Sequence, residues 1–486
     1  MEPLFLGIDA GHTLTKAVLF DEDGRQIAIG RGTNVQLSPE PSWQERDMNE
    51  AKRAAWDAIR SAIKGINPAR IVAIGACGHG DGLYLLDKDE KPLRNAILAT
   101  DNRAPDIAER LSLDHGDDLL RLMGQHIFSA SPAALLIWLR KHEPENFARI
   151  GSIINCKDWI RFTLTGEVGA EVADASGSFV DMTTHQWSDE ILRLTGLTEL
   201  KPALPPLAYA HEVVGTLSQK AAFELGLIPG TQVVAGTHDV HAAAIGVGAY
   251  ETGVASIIFG TWSINQVFSD KPIPDYRWHT RASVVPNRWL HMCTSPSSAS
   301  NANWFWNVMG ISTSEELESH LAAAESTFMQ SDRALYFPYL FGGPAGTTPG
   351  AQLQGLRGWH SREHLLASII EGIIFNHKHH LDILRSKVWT SSRLIATGGS
   401  LHSRVWAQAI ADIFDQEIQI SDAQESGARG VATLAGLGSG YFSSIEDIVL
   451  KTTRIEEILL PNPERVKFFR ERYDRYREAA TKIIGV

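Results

Sequence analysis

Residues 4–30 decide the fold, and they read LFLGIDAGHTLTKAVLFDEDGRQIAIG. Strand-forming residues run from Leu4 to Ile8, from Thr15 to Phe20 and from Gln26 to Gly30, with short Gly- and Asp-containing reversals between them. Strand-length runs joined by tight turns are typical of an antiparallel meander. The sequence therefore predicts three antiparallel strands at the start of the chain.

A comparable order of elements returns later in the chain. The first three strands are followed by helical spacing of apolar residues and by a short apolar run, Ile71 to Ile74. A second strand-turn-strand pattern occupies Val254 to Phe259 and Ile264 to Phe268. The 486 residues exceed the roughly 250 to 300 residues that one core supports. We therefore expect an α/β protein of two related domains, residues 1–247 and 248–486, with a ligand-binding cleft between them.

The composition excludes several classes of function. The formal net charge is −12, whereas proteins that bind nucleic acid carry an excess of Lys and Arg. No stretch approaches the ~20 apolar residues that span a bilayer, and the first residues lack the pattern of a signal peptide. The cysteines, Cys77, Cys156 and Cys293, are widely spaced, which suits a reducing compartment. We expect a soluble, cytoplasmic protein that binds neither nucleic acid nor membrane.

The first candidate for chemistry is the turn after the first strand. Asp9 ends that strand, Gly11 lies in the turn, and Lys16 follows on the returning strand. Glycine lets backbone N–H groups approach phosphate oxygens, and an acidic residue at a strand end can hold Mg²⁺ through water. Taken alone, this pattern equally fits a hairpin turn with a capping Asp.

The second candidate is Asp239, in the sequence Gly236-Thr237-His238-Asp239 between an apolar run and a helical pattern of small residues. An Asp at such a junction is often only an N-cap. The catalytic interpretation is a general base, because phosphoryl transfer to an alcohol needs a group that accepts the hydroxyl proton. The position alone leaves both interpretations open.

Two further glycine-containing turns lie in the second half of the chain. Gly260-Thr261 follows the strand that ends at Phe259 and mirrors the Asp9 turn in position. Thr397-Gly398-Gly399-Ser400-Leu401-His402-Ser403 lies between an expected strand and an expected helix. Consecutive glycines at a helix N-terminus present free N–H donors and allow close contact with a base or ribose.

The run His377-Lys378-His379-His380 is rich in potential metal ligands. It lies within a helical pattern and brings no acidic or cysteine partner, so we expect a solvated or inter-element helix face in place of a metal site.

These elements, taken together, are similar to the FGGY family of carbohydrate kinases. Ala351-x-Leu353-x-Gly355-Leu356, followed by seven residues and His364-Leu365-x-x-Ser368-Ile369-Ile370-Glu371, resembles the second signature of that family. The family belongs to the superfamily of hexokinase, actin and chaperone ATPases. The resemblance implies two ribonuclease-H-like (actin/hexokinase-like) domains with an interdomain active-site cleft, and ATP and Mg²⁺ as cofactors.

The resemblance also implies roles for single residues. Asp9 would orient Mg²⁺, and Asp239 would be the catalytic base and would also contact the sugar. The domain of residues 1–247 would bind the sugar, and that of residues 248–486 would bind adenosine. The implied nucleotide-binding residues are Gly11, Thr13, Lys16, Gly260, Thr261, Gly398, Gly399 and Ser403.

The implied sugar site lies on the loop Gly78-His79-Gly80-Asp81-Gly82 and at a later acidic-basic pair. Its residues would be His79, Asp81, Asp101 and Arg103. The sequence of residues 38–48 and 85–92 resembles that of the L-xylulose kinase branch. This resemblance implies a pentulose that is phosphorylated at its 5-hydroxyl. Position 81 holds Asp where xylulose kinases commonly carry His, so the acceptor can differ from D-xylulose.

Several alternatives stay open at the level of sequence. The acceptor can also be D-xylulose, ribulose, 3-keto-L-gulonate, erythritol or glycerol. The alternative from another functional class is a non-catalytic, actin-like ATP-binding protein. That alternative does not explain why His79, Asp81, Asp101 and Arg103 are present. The partner is expected to be a small-molecule sugar, and the sequence leaves open whether the chain forms a homodimer.

Overall fold

A computed structural model describes residues 2–343 and 349–484 of the chain. The chain divides into two compact units. The first consists of Met1–Tyr250, Ser269–Leu290 and Glu425–Thr453, and the second of Glu251–Phe268, His291–Gln424 and Arg454–Val486. The proposed functional boundary between residues 247 and 248 stays a prediction.

Strands and helices are interspersed along the described chain, as expected for an α/β fold. The strands are β1 (Leu4–Ala10), β2 (Leu14–Phe20), β3 (Gln26–Thr33), β4 (Glu45–Arg46), β5 (Ile71–Gly78), β6 (Tyr84–Asp87), β7 (Ala96–Ile97), β8 (Ile150–Ile154), β9 (Ala170–Glu171), β10 (Val180–Asp181), β11 (Gln186–Trp187), β12 (Leu207–Ala208), β13 (Val213–Thr216), β14 (Gln232–Val234), β15 (Thr237–His238), β16 (Ala255–Phe259), β17 (Ser263–Ser269), β18 (His279–Ala282), β19 (Trp289–Ser295), β20 (Leu335–Phe337), β21 (Gln352–Gln354), β22 (Leu394–Thr397), β23 (Ile418–Ser421) and β24 (Ile455–Leu459).

Both units contain helices as well as strands. They are α1 (Met48–Ala62), α2 (Pro105–Met123), α3 (Pro132–His142), α4 (Pro144–Ala148), α5 (Cys156–Thr165), α6 (Val172–Ala175), α7 (Asp189–Thr195), α8 (Gln219–Leu225), α9 (Asp239–Gly246), α10 (Ala299–Val308), α11 (Ser314–Glu325), α12 (Arg362–Arg385), α13 (Arg404–Phe414), α14 (Ser426–Gly438), α15 (Ile445–Thr452) and α16 (Pro463–Ile484).

The first unit is built on a sheet with the strand order β13-β14-β5-β1-β2-β3, and β15 also pairs with β5. β1 is antiparallel to β2 and parallel to β5, and β2 is antiparallel to β3. The three antiparallel strands predicted from residues 4–30 and the strand predicted at Ile71 are therefore confirmed. The α/β fold class is confirmed as well.

Glycines let helices approach both faces of this sheet. A Cβ atom on Gly7 would lie 2.0 Å from the carbonyl oxygen of Ala428 in α14, and one on Gly30 would lie 2.0 Å from that of Ala58 in α1. Gly7 pairs across the sheet with Val18, and Gly30 with the adjacent Ala17, so the two glycines point to opposite faces. The sheet thus lies between α1 and α14.

The second unit repeats the central strand pattern of the first. Its sheet runs β19-β17-β16-β22-β23-β24, and β16 is antiparallel to β17 and parallel to β22. The long helix α12 carries Glu371, which is buried between Arg333 and Arg472 at 3.2 Å and 2.6 Å. Among the described residues, no helix is both long and apolar enough to cross a membrane.

Candidate active site

Asp9 lies at the end of β1, beside the turn to β2. In the sheet register it lies opposite Lys16 on β2 and Cys77 on β5, because these two strands flank β1. The turn is closed by a hydrogen bond of 3.1 Å from the Gly11 N–H to the carbonyl of Leu14. Burial raises the pKa of the Asp9 carboxyl, and the positive charge of Lys16 opposes that rise.

Lys16 has a partner that the sequence did not reveal. Its Nζ lies 2.6 Å from Oε2 of Glu425, directly before α14 in the same unit, and the Lys16 side chain stays 32% exposed. Glu425 is separated from Lys16 by 409 positions, so no local pattern could have indicated the contact. Thr13, also predicted for this phosphate loop, is exposed in the turn.

Asp239 is the first residue of α9, and His238 occupies the N-cap position. Asp239 therefore does not occupy the N-cap position, and its role as a base stays a prediction. Burial, with the negative charge of Asp9 and Asp81, raises the pKa of Asp239 to about 8, against the opposing effects of the Val240 N–H and of Arg281. The first unit thus brings Asp9 and Asp239 within electrostatic reach of each other.

The predicted sugar loop follows β5 and carries two side chains with specific partners. His79 stacks on His12, with ring centroids 4.2 Å apart, and its Nε2 lies 3.2 Å from the Tyr84 hydroxyl. Asp81 has a left-handed backbone, with φ of 54°, and accepts hydrogen bonds of 2.9 and 3.1 Å from Arg281. Arg281 is 200 positions away, and sequence reasoning missed it.

Asp101 and Arg103 form a buried ion pair. Their side chains are 0% exposed, and Nη2 of Arg103 lies 2.9 Å from Asp101 and 2.9 Å from Glu45. Asp101 also accepts a hydrogen bond of 2.6 Å from the Gln44 N–H. In this structure the pair therefore fixes neighbouring backbone, and direct contact of either residue with a sugar stays a prediction.

The second unit places Gly260 and Thr261 in the turn between β16 and β17. The carbonyl of Gly260 accepts a hydrogen bond of 2.9 Å from the Ala299 N–H at the start of α10. In contrast to the Asp9 turn, this one carries no acidic residue.

Below this turn lies a buried, uncharged polar network that sequence reasoning did not find. His377 of α12 contacts Oδ1 of Asn265 at 2.9 Å and the Ser298 hydroxyl at 3.1 Å. His380 lies 3.3 Å from the Ser263 hydroxyl. Burial lowers the pKa of both histidines, that of His380 to about 3. The expected inter-element face is confirmed for these two histidines.

The predicted adenosine residues lie between β22 and α13. Gly398 has φ of 124°, and a Cβ atom there would lie 2.4 Å from the Phe259 carbonyl oxygen, so only glycine fits. A Cβ on Gly399 would meet nothing within 4 Å, so space is open beside it. Ser403 is the N-cap of α13, and its buried Oγ has no hydrogen-bond partner among the described residues.

The sequence matches two family descriptions over most of its length. Residues 4–246 match the FGGY family of carbohydrate kinases, N-terminal domain, and residues 255–439 match its C-terminal domain. The chain belongs to the FGGY family of carbohydrate kinases. This FGGY kinase is therefore an ATP-dependent sugar phosphotransferase.

Relatives of this FGGY kinase align along its full length. It is 31% identical over 492 residues to the L-xylulose/3-keto-L-gulonate kinase of Escherichia coli (strain K12), covering 100% of this chain and 98% of that protein. It is also 31% identical to a probable L-xylulose kinase of Pasteurella multocida (strain Pm70), covering 99% of each. The structure of a ligand-bound xylulose kinase from Lactobacillus acidophilus superposes with a TM-score of 0.91 at 23% identity, covering 99% of this chain and 98% of that one, which shows a shared fold.

The first unit of this FGGY kinase offers a donor set that fits Mg²⁺. Among the described residues there is no group of three or more metal-ligating side chains. Mg²⁺ needs no such group, since it usually takes one or two carboxylates together with waters and substrate phosphates. The partly buried carboxyls of Asp9 and Asp239 have raised pKa values, so a divalent cation would stabilise their charged forms.

Proposed function

We propose that this chain transfers the γ-phosphoryl group of ATP to a hydroxyl of a pentulose, with L-xylulose as the first candidate and a 5-phosphate as the product. Two relatives at 31% identity and one at 30% carry L-xylulose kinase names. The substrate assignment rests on those names and on the polar sugar loop.

The partly buried carboxyl of Asp239, whose side chain is 35% exposed, is the observation that carries the mechanism. A general base works best when its pKa lies near the operating pH, and burial raises the pKa of Asp239 to about 8. In the proposed reaction Asp239 accepts the proton of the attacking hydroxyl, and the ADP oxygen leaves as the phosphoryl group is transferred. Asp9 would hold Mg²⁺, which neutralises negative charge on the phosphates when it is bound.

We assign the nucleotide contacts to short turns of both units. Gly11, which has no side chain, would let phosphate oxygens approach the first turn, Thr13 would donate to them, and the partly exposed Lys16 would add positive charge there. Gly260 and Thr261 would form the second phosphate loop. The adenosine would contact Gly398, Gly399 and Ser403, and the unpartnered hydroxyl of Ser403 supports this assignment. In functional terms residues 1–247 would bind the sugar, and residues 248–486 would bind adenosine.

We assign sugar binding to His79 and Asp81, with Asp101, Arg103 and Asp239 completing the set. Hydrogen bonds to hydroxyls reject analogues that lack one, because the polar groups of the site would then stay unpaired. Asp81 already accepts from Arg281, so its carboxylate is held in one orientation for a sugar hydroxyl.

A second candidate acceptor is 3-keto-L-gulonate, because it appears in the name of one relative at 31% identity. D-xylulose, ribulose, erythritol and glycerol are the other candidates for the same chemistry. All of them use the same base and the same nucleotide, so the choice among them concerns the sugar loop alone.

The test is a panel of ketoses, polyols and 3-keto-L-gulonate in a coupled assay of ADP release. We expect the highest kcat/KM with L-xylulose, and a 5-phosphate when the product is analysed by NMR. A higher value for another sugar would replace the proposed acceptor. ATP hydrolysis that no acceptor stimulates would overturn the proposed reaction itself.

A further inference from the structure

Three successive carbonyl oxygens in the turn between β1 and β2 accept hydrogen bonds from two residues elsewhere in the first unit. Asn34, directly after β3, donates from Nδ2 to the Gly11 carbonyl at 2.8 Å and from its backbone N–H to the Thr13 carbonyl at 2.9 Å. Arg46, at the end of β4, donates from Nη2 to the His12 carbonyl and from Nη1 to the Gly11 carbonyl at 3.4 Å. The two residues therefore fix the direction of these carbonyls.

The same contacts fix the direction of two backbone N–H groups in the turn. In a trans peptide the carbonyl oxygen and the following N–H point in opposite directions. The N–H of His12 therefore points away from Asn34, and the N–H of Thr13 points away from Arg46. Neither N–H donates to another residue in the described part of the chain. Successive N–H groups in a turn can bind an anion together.

Arg46 is a buried cation that has no acidic partner. It is 1% exposed, and no carboxylate of the described chain lies within ion-pair distance of its guanidinium. The adjacent Glu45 pairs with Arg94 and Arg103 instead. Burial, together with the positive charge of Arg46, lowers the pKa of His12 to about 4, so this charge acts at the turn. Because buried charges in proteins are normally paired, the guanidinium favours an anion bound there.

We propose that Arg46 and Asn34 are positioning residues for the first turn. They hold its carbonyl oxygens away from a bound phosphate of ATP, and so direct the N–H groups of His12 and Thr13 towards that phosphate. This inference rests on the proposed binding of ATP phosphates at the first turn. Both positioning residues are buried, so they act through the backbone of the turn and not by touching the nucleotide.

The test measures how Arg46→Met binds two probes in the absence of sugar, by calorimetry. The probes are adenylyl-imidodiphosphate, a non-hydrolysable analogue of ATP, and adenosine, which carries no phosphate. Met is unbranched like Arg but carries no charge and donates no hydrogen bond. We expect the analogue to bind about 10- to 100-fold more weakly, as for lost hydrogen bonds from a charged group. Adenosine should bind within about twofold of normal, because it makes no contact that depends on the turn.

Two milder variants keep the test decisive should Arg46→Met fail to fold. Arg46→Lys keeps the charge but lacks the planar fork that reaches two carbonyls, so the analogue should bind about 3- to 10-fold more weakly. Asn34→Leu removes a neutral donor to the Gly11 carbonyl and should weaken binding of the analogue by about 2- to 10-fold. Arg53→Met is the matched control, because Arg53 is an exposed residue of α1 that pairs with Glu50 on the same helix. It removes one positive charge from the first unit and should leave both affinities unchanged.

Equal weakening of the analogue and of adenosine in Arg46→Met would show a merely structural role and overturn the inference. Normal affinity for the analogue in both Arg46→Lys and Asn34→Leu would overturn it as well. Lys16→Met separates the inference from the proposed function, since Lys16 is assigned to the phosphates directly. If Lys16→Met weakens the analogue and Arg46→Met does not, only the positioning inference fails. If Lys16→Met binds the analogue normally, the phosphate assignment of the first turn fails and this inference fails with it.

Discussion

The two glycine turns of this kinase share a backbone pattern and differ in electrostatics. β1 and β16 each pair with an antiparallel strand on one side and a parallel strand on the other. The first turn is lined by ionisable groups, Asp9, Lys16 and Glu425. The second rests on uncharged hydrogen bonds made by His377 and Asn265. The comparison teaches that the same strand arrangement supports a turn lined by ionisable side chains in one unit and by an uncharged hydrogen-bond network in the other.

Burial shifts pKa values in opposite directions in the region of Asp9 and Asp239 and in the network below the Gly260 turn. It raises the pKa of Asp239, which brings a carboxyl towards neutral pH, where it can exchange protons during turnover. It lowers the pKa of His377, which keeps the ring neutral across the physiological range. We therefore expect substitutions in the first region to change the chemical step, and those in the second to change stability and nucleotide binding.

The largest effect is expected for Asp239→Asn. Asn keeps the size of the side chain but cannot accept the hydroxyl proton, so kcat should fall by about 10² to 10⁴, with ATP affinity nearly unchanged. Rapid-quench measurement of the chemical step and a separate ATP titration would check both parts.

Asp189→Asn on α7 is the matched control, since its carboxylate is 71% exposed and pairs only at the surface with Lys201. It should leave kcat unchanged. An Asp239→Asn enzyme that keeps more than half of normal turnover would remove the expected functional contrast between the region of Asp9 and Asp239 and the Gly260 turn.

A smaller effect is expected for His377→Leu in the second region. The change leaves Asn265 and Ser298 without their buried partner, so the free energy of unfolding should fall by about 1 to 3 kcal/mol. KM for ATP should rise if the turn at Gly260 binds phosphate, and kcat at saturating ATP should change little. Denaturant unfolding and steady-state kinetics measure the two quantities.

The half-buried His379 gives the control, because the same substitution two positions along α12 leaves the described hydrogen bonds of His377 to Asn265 and Ser298 in place. If kcat of the His377→Leu enzyme fell as far as that of Asp239→Asn, the prediction that only the first region affects the chemical step would be contradicted.

Local patterns were sufficient to predict the strands and the turns. Residues 4–30 alternate strand-forming runs with turn residues, so the β1–β3 meander followed from short-range preferences. The position of Asp239 at a strand-to-helix junction could be predicted in the same way. The turn at Gly398 and Gly399 could also be predicted from its glycines, because the backbone geometry that Gly398 adopts excludes other residues.

The partners that tune the site could not be predicted, because they lie far apart in the sequence. Glu425 reaches Lys16 across 409 positions, and Arg281 reaches Asp81 across 200. The burial of single polar side chains could not be predicted from the sequence either. Asp101 and Arg103 resembled polar contacts for a sugar, whereas their side chains are fully enclosed in an ion-pair network with Glu45. Long-range packing therefore decides which polar residues can meet a substrate.

The pH dependence of kcat/KM for the sugar tests the central claim most directly, because it reports the ionisation of the free enzyme. A base works only when deprotonated, and the pKa of Asp239 is raised to about 8, so kcat/KM should rise with pH through a midpoint near that value and level off above it. The same limb should be absent from the residual activity of Asp239→Asn. A wild-type profile that is flat or falls between about pH 6 and pH 8, or an Asn variant that keeps the limb, would contradict Asp239 as the base.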